Sequence, residues 1–272
     1  MPVNSAIPAS VKLFDTHCHL DLPELAAEQA LHWQNARKAG VAALLIPAVE
    51  QARWQALLSL KQQHADWHIA LGVHPWWADK HELSAASELD ALLSGHSADV
   101  IAVGEIGLDF ALDAHSFDRQ RTLFSAQLAL ATKHRKPVIL HHRKSQNELL
   151  TELKRQQFSY GGILHAFSGS QQQGNAFAEL GFKLGIGGTI TYERAEKTRK
   201  TVTKLPLSAF VLETDAPSMP LAGFQGQVNT PAQLARVFQA FCQLRTESPE
   251  QIAEVLWQNS LAALLPGRSQ AQ

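Results

Sequence analysis

The stretch Val100-Ile101-Ala102-Val103-Gly104-Glu105-Ile106-Gly107-Leu108-Asp109 opens as an apolar, β-branched run and then sets a carboxylate between two glycines. A short, unbroken apolar run reads as a strand buried on both faces, the pattern of a parallel sheet. This strand is expected to end at Glu105, an awkward place for a merely solvated residue. An ion-paired Glu at the mouth of a barrel would account for it; so would a metal ligand.

Seven similar runs flank it: Val11–Asp15, Val41–Pro47, Trp67–Val73, Pro137–Leu140, Gly162–His165, Phe182–Gly187 and Phe210–Glu213. Each is followed by helical spacing or a helix-start signal. Phe117, Arg121, Phe124 and Leu128 share a helical face that ends before Pro137. Thr230-Pro231 and Ser248-Pro249 place proline at a first helical position, and the second opens a last helix running to about Leu265. Strands alternating with helices predict a parallel sheet. Eight units, with no Gly-x-Gly-x-x-Gly after the first, favour a closed barrel over an open dinucleotide-binding sheet. The expected fold is α/β, a single (β/α)8 TIM barrel with an extra C-terminal helix. It is expected to span residues 11–266, between a flexible tail at 1–10 and a short tail at 267–272.

Composition narrows the class. The 272 residues are 45% hydrophobic and 18% charged, enough for a large core. No apolar run approaches the roughly 18 residues that span a bilayer. The opening MPVNSAIPAS has neither a basic start nor an apolar core, so a cytoplasmic location without membrane attachment is expected. Two cysteines, Cys18 and Cys242, exclude a disulfide framework. A net charge of −1 argues against a broad basic surface, so any nucleic acid would be gripped locally. No obligate protein partner is evident.

The chemistry lies where the runs end. The first closes on His17-Cys18-His19, and alternate residues of a strand point the same way, so both imidazoles can converge on one ion. Imidazole suits transition ions better than calcium. The fifth ends Leu140-His141-His142-Arg143, the sixth Leu164-His165, and the eighth Glu213-Thr214-Asp215. Each alone reads equally as a core or capping residue. Together, five of eight strands end in a histidine or carboxylate, on the face where barrel active sites sit. Four histidines and two carboxylates suffice for two divalent ions, bridged by Glu105.

These motifs, in this order, resemble the TatD family of metal-dependent, deoxyribonuclease-like hydrolases in the amidohydrolase superfamily. The resemblance rests on His17-x-His19, GEIGLD at Glu105, PVILHHR at His141, LHAFSG at His165 and ETDAP at Asp215. GGTITY at Gly187–Tyr192 and GFQGQ at Gly223–Gln227 are similar to its YjjV-type branch. The resemblance implies that His17, His19 and Asp215 hold one ion, that His141 and His165 hold the other, and that Glu105 bridges. Asp215 would also be the general base, making Asp215 and Glu105 the catalytic pair. Two divalent cations per chain are implied, Mg²⁺, Mn²⁺ or Zn²⁺. His142 is expected to pack or support rather than ligate, and Asp109 to orient a ligand histidine.

His74, in the family's Gly-x-His-Pro motif, and Arg143, in its His-x-Arg motif, are candidate phosphate contacts. Trp76 and Trp77 are candidates to stack a base or pack a lid. Arg194 and Lys197, three apart beyond the seventh run, are expected to share a helical face and grip phosphate. The segment Gly226-Gln227-Val228-Asn229-Thr230-Pro231 keeps the family's Asn and Pro but lacks the arginines common there. The leading expectation is a phosphodiesterase or deoxyribonuclease working on single-stranded DNA or DNA ends, with 3′→5′ exonuclease action. The alternative is a two-metal hydrolase of a small ester, lactone, amide or phosphoester. A non-catalytic metal scaffold needs neither an open ligand position nor a base, so Glu105 and Asp215 count against it.

Overall fold

The computed structural model describes residues 11–80 and 84–265. The tails expected at 1–10 and 267–272 lie outside the described residues. Eight strands form one parallel sheet in sequential order: β1 (Leu13–Asp15), β2 (Val41–Pro47), β3 (Trp67–Leu71), β4 (Val100–Asp109), β5 (Val138–Arg143), β6 (Gly162–Leu164), β7 (Phe182–Ile186) and β8 (Phe210–Leu212). Among the described residues ten α-helices accompany them: α1 (Pro23–Ala26), α2 (Gln29–Lys38), α3 (Trp54–Gln63), α4 (Ser84–Gly95), α5 (Phe117–Lys133), α6 (Gln146–Arg155), α7 (Gln171–Ala178), α8 (Glu196–Lys204), α9 (Leu234–Cys242) and α10 (Pro249–Leu264). This is the (β/α)8 TIM barrel expected from the eight runs, with α10 as the extra C-terminal helix.

Two apolar layers follow from strand alternation. One set of strand residues, including Phe14, Leu45, Ala102, Ile139, Ile163 and Val211, forms an inner cluster on which Ala263, Leu264 and Trp257 of α10 also pack. The other set, including Leu44, Ile69, Val103, Leu140 and Leu184, packs against the helices. Each fully buried Leu, Ile or Phe contributes about 1.5–3 kcal/mol of transfer free energy. Ser248 caps α10 through a reciprocal box with Gln251. Thr230, by contrast, makes no side-chain cap: Pro231 opens a 3-10 turn that leads into α9.

The seam between β1 and β8 matters most for the site. Thr16 N–H donates to Leu212 O at 3.0 Å, and Asp215 N–H to His17 O at 2.9 Å. Buried Asp15 accepts both the N–H (2.9 Å) and the hydroxyl (2.7 Å) of Thr214. These bonds fix His17 beside Asp215 although 198 positions separate them in the chain (215 − 17).

Two local expectations are corrected. β4 does not end at Glu105 but continues to Asp109, pairing Gly107 with His141 and Asp109 with Arg143. Glu105 and His141 are therefore strand residues, held more rigidly than residues past a strand end. Gly107 permits this: its φ is +146°, and a Cβ there would collide with His141 O. β1, conversely, stops at Asp15, so His17 and His19 lie in the bend beyond it. Strand alternation is not what aligns them.

Candidate metal centre

All six residues expected to bind metal come together at the C-terminal end of the strands. His17 Nε2 lies 3.0 Å from His19 Nε2, 3.1 Å from Glu105 Oε2 and 3.7 Å from Asp215 Oδ1. The bend after β1 folds the two rings into an edge-on pair, and His19 Nδ1 is anchored on Pro47 O at 3.1 Å. The His17 ring stacks on His165 with centroids 3.4 Å apart. Glu105 presents its other oxygen, Oε1, to His141 Nδ1 at 2.9 Å and to His74 Nε2 at 3.4 Å. Asp215 Oδ1 also lies 3.6 Å from His165 Nε2 and 3.7 Å from His19 Nε2.

Electrostatics follow from this packing. Burial alone would raise the pKa of Glu105, but His74, His17 and His141 outweigh it and hold the carboxylate well below its usual range. Asp215 is likewise pushed up by burial and brought lower, on balance, by His165, His17 and His19. Burial and the neighbouring His165 lower His17, favouring the neutral imidazole that a metal requires. His165 is the reverse: burial opposes its charge, yet Glu213 and Asp215 raise it well above the ordinary histidine value.

The donor set fits divalent cations. Imidazole nitrogens and carboxylate oxygens face one another across 3.0–3.7 Å with few protons to share, and buried His17 Nδ1 has no hydrogen-bond partner. Among the described residues, three groupings have ligand atoms close enough to hold one ion: His17–His19–Glu105, His17–His165–Glu213 and His74–Glu105–His141. His74, expected at a substrate phosphate, thus lies buried against Glu105, with its imidazole pushed down to about 4 by burial.

Glu213 went unnoticed in the sequence as a functional residue. It is fully buried, faces His165 Nδ1 at 2.9 Å, and accepts the N–H of Ala166 at 2.6 Å. The Glu-x-Asp spacing at 213–215 and glycine at 185, where a side chain would collide with this carboxylate, are its only traces in the sequence. Asn229, in the sequence only the Asn that the family segment keeps, has a structural role as well. Its amide donates to Thr214 O and Ser218 O, both at 2.9 Å, tying down the loop that carries Asp215.

Other candidates fall further out. Asp109 Oδ2 lies 3.3 Å from His141 Nε2, as expected of an orienting carboxylate. Trp76 is exposed and donates its indole N–H to Asp109 at 2.7 Å, whereas Trp77 packs on the core beneath Lys80. Arg143 is exposed and lines a cavity together with Lys197. Arg194 does not share a helical face with Lys197: it precedes α8, and its guanidinium lies over the Tyr192 ring.

The family profile described as TatD related DNase matches residues 14–264. A metal-dependent hydrolase from Escherichia coli K12, YjjV, is 45% identical over 249 residues, covering 92% of this chain and 96% of the relative. The 3′-5′ ssDNA/RNA exonuclease TatD of Erwinia amylovora is 32% identical, covering 89% and 95%. The crystal structure of the E. coli K12 TatD homologue YjjV superposes with a TM-score of 0.90 at 44% identity, covering 93% of this chain and 97% of that one. The chain is therefore a metal-dependent hydrolase belonging to the TatD family of DNase-related proteins.

Proposed function

We propose that this hydrolase is a two-metal phosphodiesterase that shortens single-stranded nucleic acid from its 3′ end, in one domain spanning 11–266. The observation that carries the reading is the position of Glu105, whose two oxygens face separate sets of imidazoles, His17 and His19 on one side and His74 and His141 on the other. A carboxylate so placed is suited to bridge two ions, Mg²⁺, Mn²⁺ or Zn²⁺. In this reading His17, His19 and Asp215 hold one, and His141 and His165 the other. When bound, the pair supplies Lewis-acid polarisation of a phosphoryl oxygen and a water of lowered pKa.

The chain's own groups do the rest. Asp215, held ionised by His165, His17 and His19, accepts a proton from the attacking water. Glu213, on Nδ1 of His165, would orient that imidazole so that Nε2 is left for the ion. Exposed Trp76 offers a face on which a base can stack, and exposed Arg143 a planar fork for phosphate. The exonuclease name of the Erwinia relative supports the nucleic-acid substrate. No described helix is long and apolar enough to cross a membrane, and a cytoplasmic location fits this role.

A second reading, hydrolysis of a small ester, lactone, amide or phosphoester, draws on residues 226–231, which lack arginine, and on the net charge of −1. Metal-stripped protein reloaded separately with Mg²⁺, Mn²⁺ or Zn²⁺ should be given 5′-labelled single-stranded DNA, RNA and small esters. A ladder of products shortened from the 3′ end is expected. Efficient ester cleavage with both nucleic acids untouched would overturn the nuclease reading.

A further inference from the structure

Beside the metal centre, at the same end of the barrel, lies a cavity of about 530 Å³ of which the chemistry above draws on Arg143 alone. Its wall runs from His142 and Arg143 at the end of β5 to Glu148 in the first turn of α6, closed by Ser168 after β6 and by Lys197 in the first turn of α8. Three cations line it: Arg143, Lys144 and Lys197. Among the described residues none of them is held in an ion pair, and Glu148 is the one carboxylate in the lining. Three positive groups against one negative leave the cavity with surplus positive charge.

Two features independent of those charges point the same way. The lining includes the N-terminus of α6, a ten-residue helix whose N-cap, Ser145, makes no capping bond. Its hydroxyl is instead committed to Leu108 O at 2.6 Å and receives Arg143 N–H at 3.2 Å. The positive end of the helix dipole and its free N–H groups are left for another acceptor. His142, also in the wall, has a buried Nε2 with no partner in the protein. An uncapped helix start, a guanidinium fork and two ammonium groups around one cavity are the complement of a phosphate group, not of an apolar body or a cation.

We propose that this cavity is a second phosphate site, which holds a phosphate of the substrate at least one linkage away from the bond that the metal centre cleaves. The proposal rests on the phosphodiesterase reading and gives it a direction, since the strand would run from the metal centre over His142 and Arg143 towards α6 and α8. It also supplies positive charge that the arginine-free segment 226–231 does not. Substrates with two or more phosphates would be favoured over those with one.

The test is binding by metal-free protein in EDTA, where the metal centre contributes nothing. Fluorescence anisotropy would follow a labelled single-stranded oligodeoxynucleotide and, separately, a labelled nucleoside 3′,5′-bisphosphate, over a salt series, with inorganic phosphate as competitor. Removing two contacts in the double variant Lys144→Ala with Lys197→Ala should reduce the slope of log K against log salt by about 1.4. Competition by phosphate should weaken, and Lys144→Arg with Lys197→Arg should restore the slope. Lysine-dependent binding of the bisphosphate without oligonucleotide binding would uphold the cavity and sink the nuclease reading. Oligonucleotide binding with an unchanged slope in the alanine variant would overturn the cavity and leave the nuclease reading intact. Lysine-independent binding of both probes would likewise overturn it.

Discussion

Two histidines of the centre are each backed by a carboxylate, and the two pairs are built differently. His165 rests on Glu213, which is sealed in the core, held by Ala166 N–H and pressed against Gly185. His141 rests on Asp109, which is buried but directs its remaining bonds outward, to Ala111 N–H at 2.9 Å and to the indole of Trp76, itself 59% exposed. One imidazole is fixed from within the protein, while the other is coupled to a ring that faces solvent. Both solutions orient a histidine and set which nitrogen carries its proton. A change at Trp76 is therefore expected to reach His141 and not His165.

The largest effect should fall on the sealed side, at Asp215. Asp215→Asn keeps an oxygen but loses the base, so kcat should drop by about 10²–10⁴. A variant with near wild-type turnover would remove Asp215 from the chemistry. Acidification of the metal-free protein should next show an effect at His74, beside the coupled pair. His74, packed 4.2 Å from the His141 ring, titrates at about 4 when folded, below the ordinary histidine value. The unfolded chain therefore binds more protons between about 6.5 and 4, so stability falls as pH drops through that window. The loss is on the order of 3 kcal/mol. Denaturant titration at several pH values should show His74→Gln flattening this dependence, and an unchanged profile would contradict it.

Glu213→Gln should lower metal affinity by about 10–100-fold, because nothing else can take over its place in the core. Asp109→Asn should lie at the lower end of that range, because an amide still accepts the Trp76 N–H. Metal titration that ranks the two variants in the reverse order would break the comparison. The smallest change belongs to Trp76→Phe, which keeps a ring and loses one hydrogen bond to Asp109. A two- to tenfold loss of catalytic efficiency is about what one net hydrogen bond supplies. The corresponding loss should be absent in an Asp109→Ala background, where the acceptor is gone, if the coupling runs through that carboxylate.

Much of this was legible from residue order. The eight apolar runs became the eight strands because a parallel sheet buried on both faces leaves an uninterrupted apolar signature, and the polar residues just beyond them mark one end of the barrel. Local detail was less readable. Nothing in Gly104-Glu105-Ile106-Gly107 distinguishes a strand that ends at Glu105 from one that passes through it, since glycine fits both. Glu213 looked like a spacer because a carboxylate sealed in the core and one facing water have the same letter, and only the collision at Gly185 separates them. Arg194 and Lys197 are three apart in the chain, but the helix begins between them, so helical spacing did not apply.

The central claim is that Glu105 serves two ions at once, and metal content measures it most directly. After chelation, reloading and removal of free metal, elemental analysis should find two divalent ions per wild-type chain. Glu105→Gln should lose both together, with folding verified by its circular dichroism. At most one ion per wild-type chain at saturation, or two ions retained in Glu105→Gln, would contradict the account.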